Sequence, residues 1–91
     1  MPTLSVYILE HCFGCEEARR LATAIAGSFA NLRVRVVDLD DEPDARPDNL
    51  IAVPTYMLDG KVIALGNPRQ TDLVHDLEHL LESRRREEHT S

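Results

Sequence analysis

The stretch Ser5-Val-Tyr-Ile-Leu-Glu-His-Cys-Phe-Gly-Cys15 decides the fold of this chain. It begins as an apolar strand, leaves that strand through a polar corner, and ends on two cysteines three positions apart. The apolar residues that follow Cys15 recur at the helical period, so the cysteines stand where a helix begins. The sequence therefore predicts a strand, a corner and a helix, with both cysteines at the corner.

The predicted helix spans roughly Phe13 to Ala30 and carries one apolar stripe. The stripe consists of Ala18, Leu21, Ala22, Ile25, Ala26 and Phe29. At roughly 100° per residue, Cys15 falls within the stripe, whereas Cys12 falls at its edge on the first turn. We therefore expect a buried thiol at Cys15 and a reachable thiol at Cys12.

A cysteine at this position has a chemical consequence. The first backbone N–H groups of a helix lack helical partners, and together with the helix dipole they stabilise an anion such as a thiolate. Dithiol–disulfide exchange requires an activated attacking thiol and a sheltered resolving thiol. The alternative interpretation is a pair of buried structural cysteines. Two cysteines alone cannot complete a four-ligand zinc site, and no second pair follows at zinc-finger spacing.

The bulk composition limits the function classes. The 91 residues are enough for one domain, which we assign to residues 1–83, followed by a charged C-terminal tail at 84–91 that is a frayed helix or disordered. The formal net charge of −6 argues against nucleic acid and membrane as partners, because phosphate contacts need clustered cations. No signal peptide or transmembrane helix is predicted, so we expect a cytoplasmic protein. In that reducing compartment a cysteine pair is more often catalytic than structural.

The rest of the chain predicts three further strands and a last helix. Both faces of the strand Thr3–Leu9 are apolar, which is typical of a central strand, whereas the half-polar strand Leu32–Leu39 suits a sheet edge. Pro43 and Pro47 limit the acidic segment that follows to a single helical turn or an irregular loop. Asp59-Gly60 predicts a two-residue hairpin turn between two short strands.

The last helix is predicted from a start signal and an apolar stripe. Asn67-Pro68-Arg69-Gln70 has the form of a capping box, with Asn67 as the cap. The stripe consists of Leu73, Val74, Leu77, Leu80 and Leu81. His75 and His79 are four residues apart on the opposite face, where a solvated surface is the better interpretation than a metal site.

The order of these features resembles the thioredoxin-like superfamily. The resemblance lies in the C-x-x-C motif at the strand-to-helix corner, in Val53-Pro54-Thr55 before the hairpin, and in the closing helix, and it covers roughly residues 3 to 83. The chain looks most like the small thioredoxin and glutaredoxin members. The resemblance implies an α/β fold with a four-stranded mixed sheet in the order 2-1-3-4, flanked by helices on both faces, in the minimal order β-α-β-(short α)-β-β-α.

The resemblance also implies a function, that of a thiol–disulfide oxidoreductase that needs no cofactor. It implies that Cys12 is the nucleophile and Cys15 the resolving thiol. The expected partners are protein or small-molecule disulfides and an electron donor, either a reductase or glutathione. We expect a monomer.

Substrate binding is expected beside the dithiol. Phe13 projects from the corner as an apolar contact, and the resemblance adds Val53, Pro54 and Thr55 as substrate-binding residues. It implies a cis peptide bond between Val53 and Pro54, packed against the disulfide. In the family the backbone before that proline pairs with an extended substrate segment.

The sequence departs from the family pattern at three places. Phe13-Gly14 is neither the Gly-Pro of typical thioredoxins nor the Pro-Tyr of typical glutaredoxins, so the reduction potential and partner class do not carry over. Val6 stands where many thioredoxins have a buried acid, which leaves Glu10 and His11 as candidate modulators of the Cys12 pKa. Gly66-Asn67-Pro68 replaces the glutathione-binding turn of glutaredoxins, which weakens the case for a glutathione site.

The alternative functions come from another class of protein. One is a non-catalytic thioredoxin-like binding module. The other is a dimer that holds a metal or cluster through Cys12 and Cys15.

Overall fold

The computed structural model describes residues 1–10 and 12–90, with side chains through residue 84. Its elements are β1 (Thr3–Ile8), α1 (Cys15–Ser28), β2 (Arg33–Asp38), β3 (Thr55–Leu58), β4 (Lys61–Leu65) and α2 (Gln70–Thr90), with one 3-10 turn at Pro43–Ala45. The four strands form one mixed sheet in the order β2-β1-β3-β4. The predicted order and the central place of the first strand are confirmed.

The two helices share one face of the sheet. Leu4, Val6 and Ile8 alternate along β1 and pack with the apolar stripes of both helices in one fully buried cluster. The other face is covered by the segment between β2 and β3, through a smaller cluster centred on Val37 and Met57. The helix expected on that second face is reduced to a single 3-10 turn, as the proline spacing predicts.

The hairpin between β3 and β4 has the predicted turn. Asp59 and Gly60 have φ values of 48° and 86°, the left-handed pair that a type I′ turn requires. Asp59 also joins neighbouring elements: its Oδ1 accepts a hydrogen bond from the Thr3 backbone N–H at 2.8 Å, and its Oδ2 pairs with Arg84. These contacts lower the pKa of the Asp59 carboxyl, the Thr3 hydrogen bond most strongly.

The boundaries of both helices differ from the predicted ones. α1 begins at Cys15 rather than at Phe13. Gly14 adopts a left-handed backbone conformation, and a right-handed helix cannot include a residue in that conformation. α2 continues to Thr90, into the segment that the sequence assigns to a frayed or disordered tail. Arg84, the first residue of that segment, is held by its ion pair with Asp59. The boundary of the domain at residue 83 stays a prediction.

Candidate functional site

Both cysteines lie at the carboxyl end of the central strand, and they are bonded to each other. After β1 ends, the chain turns through a backbone hydrogen bond from Cys12 N–H to the Leu9 carbonyl at 3.4 Å. Cys15 N–H then donates to the Cys12 carbonyl at 3.3 Å, which folds the second cysteine back towards the first. The two Cα atoms are 5.4 Å apart, within the usual range for a disulfide, and the structure joins the sulfurs as Cys12–Cys15.

The two cysteines differ in burial, as the helical phase predicts. Cys15 is 3% exposed and belongs to the main core cluster, on the same stripe as Ala18, Leu21 and Ile25. Cys12 is only partly buried and packs against the edge of that cluster. Between them, Phe13 is fully exposed. The site therefore offers one accessible sulfur beside an exposed aromatic ring and one sheltered sulfur.

The helix N-terminus at this site has no side-chain cap. The N-cap residue is Gly14, which has no side chain to accept a hydrogen bond from the first turn. No side-chain cap therefore competes with a thiolate for the N–H groups of the first turn, and the helix dipole adds to the stabilisation of negative charge there. Glu16 and Glu17 follow in the first turn, where the helix dipole favours acidic side chains.

A hydrogen-bonded chain fastens the turn between the cysteines to the sheet. The Asn67 side-chain amide donates from Nδ2 to the Gly14 carbonyl at 2.7 Å, and the same carbonyl accepts the Ala18 N–H at 3.0 Å. The Tyr56 hydroxyl donates to Asn67 Oδ1 at 2.8 Å. The sequence predicts Asn67 as the cap of the last helix, and that prediction is wrong, because α2 begins at Gln70 and both ends of the Asn67 amide bind elsewhere. We call Tyr56, Asn67 and Gly14 the amide clamp.

Sequence reasoning did not find the amide clamp. Asn67 and Gly14 are 53 residues apart, so no local spacing rule connects them. A proline directly after an asparagine is a typical helix start, and this local signal pointed to the wrong role. The usable signal is the hydroxyl of Tyr56, since the hydroxyl of a buried tyrosine needs a hydrogen-bond partner.

Gly14 is required at its position by both its backbone and its surroundings. Its φ is +89°, and a Cβ there would lie 3.0 Å from Asn67 Nδ2. We expect Gly14→Ala to lower the free energy of unfolding by about 1–2 kcal/mol, the usual cost of a left-handed non-glycine residue. Urea unfolding of the oxidised protein measures this.

Gly27 offers a matched control for that substitution. It lies in α1 with open space around its Cβ position and no positive φ. Gly27→Ala should therefore stabilise the protein, by roughly 0.5–1 kcal/mol. Equal effects of the two substitutions would contradict the role assigned to Gly14.

The remaining predicted site residues, Val53, Pro54 and Thr55, lie at the entrance to β3. The Val53–Pro54 peptide bond is cis. Val53 is partly buried and packs against the same core cluster as both cysteines. Pro54 is buried, and its carbonyl accepts a hydrogen bond from the Gly66 N–H at 2.8 Å. Thr55 is fully buried, and its hydroxyl donates to the Ala52 carbonyl at 2.6 Å. Val53 is thus the most accessible of these three residues.

Of the two candidate modulators of the Cys12 pKa, the structure describes Glu10 but not His11. Glu10 is exposed, and its backbone N–H donates to Asp40 Oδ2 at 2.8 Å, so the Glu10 side chain extends from an anchored position into solvent. His11 lies outside the described residues. Val6, at the position of the missing acid, is completely buried in the core.

Tyr56 titrates far from its ordinary value. Burial, and secondarily the negative charge of Glu17, raise the pKa of the Tyr56 hydroxyl to about 12, while Arg20 opposes the shift. The hydroxyl therefore stays protonated, and able to donate to Asn67, throughout the physiological range.

The raised pKa of Tyr56 predicts that the free energy of unfolding falls at alkaline pH. The folded pKa lies above the ordinary value of 10.0, so the unfolded state loses this proton first. The stabilisation is complete below pH 10 and is lost as pH rises towards 12, by roughly 1.4 kcal/mol per pH unit. Urea unfolding of the oxidised protein against pH measures it. Tyr56→Phe should flatten this part of the profile, and an unchanged slope in Tyr56→Phe would contradict the assignment.

The described residues contain neither a membrane-spanning helix nor a cluster of metal ligands. No helix in the described part of the chain is both long enough and apolar enough to cross a membrane. Among the same residues, no group of three or more His, Cys, Asp or Glu side chains could hold a metal ion. His75 and His79 are both exposed on α2.

Proteins of known structure share the architecture of this chain. No family model matches the sequence, and no curated protein matches it. Solved structures do match: mitochondrial thioredoxin 3 from Saccharomyces cerevisiae, in its oxidized form, superposes with a TM-score of 0.69 at 23% identity, covering 86% of this chain and 77% of that one. A designed protein of known crystal structure gives a TM-score of 0.69 at 24% identity, covering 88% and 76%. The chain therefore has a thioredoxin-like fold, with a bonded cysteine pair at the head of its first helix.

Proposed function

We propose that this protein is a thiol–disulfide oxidoreductase. The observation that carries the proposal is the asymmetry of the bonded pair: Cys12 is partly exposed at an uncapped helix N-terminus, whereas Cys15 is 3% exposed in the core. Reversible exchange needs an accessible attacking sulfur and a second sulfur within bonding reach but shielded from other partners. The thioredoxin-like fold supports the same class of reaction.

The proposed reaction has two exchange steps. The Cys12 thiolate attacks one sulfur of a substrate disulfide, the substrate S–S bond breaks, and the leaving sulfur takes a proton from solvent. The Cys15 thiolate then attacks Cys12 Sγ in the mixed disulfide, which releases the second substrate thiol and leaves the Cys12–Cys15 bond. The substrate gains two electrons and two protons, and the protein dithiol loses them. A reductase or glutathione restores the dithiol, and we place this cycle in the reducing cytoplasm.

Substrate recognition is proposed for the surface beside Cys12. The exposed ring of Phe13 would contact apolar groups that flank the target disulfide. The backbone at Val53 would pair with an extended substrate segment, with Pro54 and Thr55 holding that backbone in place from their buried positions. Protein disulfides and small-molecule disulfides both remain within this proposal.

The first test compares the reactivity of the two thiols. In the reduced protein, iodoacetamide near neutral pH should alkylate Cys12 several times faster than Cys15, because Cys12 is partly exposed just before the helix N-terminus whereas Cys15 is buried. Peptide mapping by mass spectrometry over a time course measures both rates. Equal rates would remove the observation on which the proposal rests.

A second measurement separates this proposal from the alternatives. Protein purified without chelator should contain no stoichiometric metal and should show no visible absorbance. Mild oxidation should remove the mass of two hydrogens without forming covalent dimers, because the pair closes within one chain. Bound metal or a coloured cluster would instead favour the metal-holding dimer, and a dithiol that reduces no disulfide would favour the binding module.

A further inference from the structure

We propose that Asn67 is a positioning residue for the Cys12–Cys15 pair, holding the turn between the cysteines through the Gly14 carbonyl. The inference deepens the proposed function and rests on it for its biological meaning. In physical terms, the amide clamp favours formation of the Cys12–Cys15 disulfide over the reduced dithiol.

Asn67 binds inside the turn between the two cysteines. The Gly14 carbonyl belongs to the peptide that links Gly14 to Cys15, directly inside the C-x-x-C turn. It accepts two hydrogen bonds, one from Ala18 within α1 and one from Asn67 Nδ2. The bond to Asn67 is the shorter one, 2.7 Å against 3.0 Å, and it comes from outside the helix. The turn is therefore tied to the sheet independently of α1.

Asn67 is itself held by its main chain and by Tyr56. The residue before it, Gly66, donates its N–H to the Pro54 carbonyl at 2.8 Å, so the main chain at this point is fastened to the start of β3. Tyr56, which is completely buried between its strand neighbours Val6 and Ala64, donates to Asn67 Oδ1. Because that oxygen accepts from Tyr56, the amide must present its N–H₂ end to Gly14. The orientation of the amide follows from the tyrosine.

The amide clamp has a consequence for the redox chemistry of the cysteine pair. Gly14 has a left-handed backbone, φ 89° and ψ −7°, and glycine has the largest conformational freedom to lose when a turn is ordered. In the reduced protein no S–S bond restrains this turn, so the clamp supplies the restraint. A turn that is ordered in advance brings the two sulfurs together at a lower entropic cost.

The equilibrium constant between the cysteine pair and glutathione measures directly how strongly the clamp favours closure of the disulfide. One dithiol and one glutathione disulfide give one protein disulfide and two glutathione thiols. Asn67→Ala should lower this constant by roughly three- to tenfold, because the turn would then have to be ordered at the moment the disulfide closes. A tenfold fall corresponds to a reduction potential about 30 mV less negative. Because Asn67 is exposed, its truncation leaves no cavity in the core.

Asn49→Ala is a matched control. Asn49 also donates from Nδ2 to a glycine carbonyl, that of Gly60 at 3.2 Å, but at the hairpin turn on the opposite end of the sheet. Removing this bond should change thermal stability without changing the glutathione constant by as much as twofold. If Asn67 had only a structural role, the glutathione constant would stay as unchanged in Asn67→Ala as in Asn49→Ala.

Tyr56→Phe supplies a second variant that keeps the shape of the core. Alone it should lower the constant roughly two- to threefold, because it frees the amide to turn. In an Asn67→Ala background it should have no further effect, since the tyrosine acts through the asparagine. An unchanged constant in Asn67→Ala, or additive effects of the two substitutions, overturns the inference.

The two proposals fail in distinguishable ways. If the wild-type protein reduces no protein disulfide, the proposed function fails, yet the glutathione constant can still be measured and still tests Asn67. If the constant is unchanged in Asn67→Ala while the wild-type protein turns over, the inference alone fails.

Discussion

Cys12→Ser is expected to abolish the reduction of protein disulfides. A serine hydroxyl is not ionised at neutral pH and cannot form a mixed disulfide, so the first exchange step has no nucleophile. The rate should fall by on the order of 10³-fold or more, to the background of the assay. Insulin disulfide reduction with dithiothreitol as the electron source measures it, followed by the turbidity of the separated chains.

The loss must come from chemistry rather than from unfolding. Cys12 is only partly buried and lies at the edge of the core cluster, so a serine there removes little packing. The proper reference is the wild-type protein in its reduced form, which also lacks the disulfide. Matching circular dichroism and thermal unfolding of these two proteins would attribute the lost activity to the missing thiol. Retained activity in Cys12→Ser would contradict the assigned role.

Much of the fold follows from periodicity and turn chemistry. The strand that is apolar on both faces is central, and the half-polar strand is at the edge, because burial on each face decides which side chains a strand can carry. Asp59-Gly60 forms the predicted turn because few other residue pairs adopt two left-handed conformations in succession. These features depend on residues close together in the sequence.

The contrast between the cysteines was also predictable, and for a simple reason. Helical geometry fixes the phase of Cys15 relative to the stripe that must face the sheet, so its burial follows from residues 15–25 alone. The start of α1 was less predictable. The sequence pattern includes Phe13 in the helix, whereas the left-handed Gly14 delays the start to Cys15 and leaves Phe13 exposed.

Tertiary contacts account for what the sequence could not predict. The side chain of Asn67 is chemically suited to cap a helix, and only the folded chain brings a more favourable pair of partners to it from β3 and from the cysteine turn. α2 continues to Thr90, beyond the end of its leucine stripe at Leu81, and Arg84 in this continuation pairs with an aspartate in the hairpin.

Cys15→Ser is expected to convert the protein into a trap for its own substrates. Cys12 remains accessible and attacks as before, but the buried position that should carry the resolving thiol now carries a hydroxyl. The mixed disulfide then persists until an external thiol attacks it, so adducts should accumulate to a large fraction of the protein within one turnover. Non-reducing gels with an excess of an oxidised protein substrate, and mass spectrometry of the adduct, measure the accumulated fraction.

The double variant Cys12→Ser/Cys15→Ser is the control, since it keeps the surface of the trap without a thiol. It should form no adduct, whereas Cys15→Ser should form one that dithiothreitol releases completely. The comparison of the two single variants distinguishes the roles: Cys12, the one cysteine left in Cys15→Ser, should form the adduct, and Cys15, the one cysteine left in Cys12→Ser, should not. Burial makes the reverse arrangement unfavourable, because a substrate sulfur on Cys15 would have to enter the cluster that Ala18 and Leu21 fill. Adduct formation by Cys12→Ser instead of Cys15→Ser would show that the two sulfurs have the opposite roles.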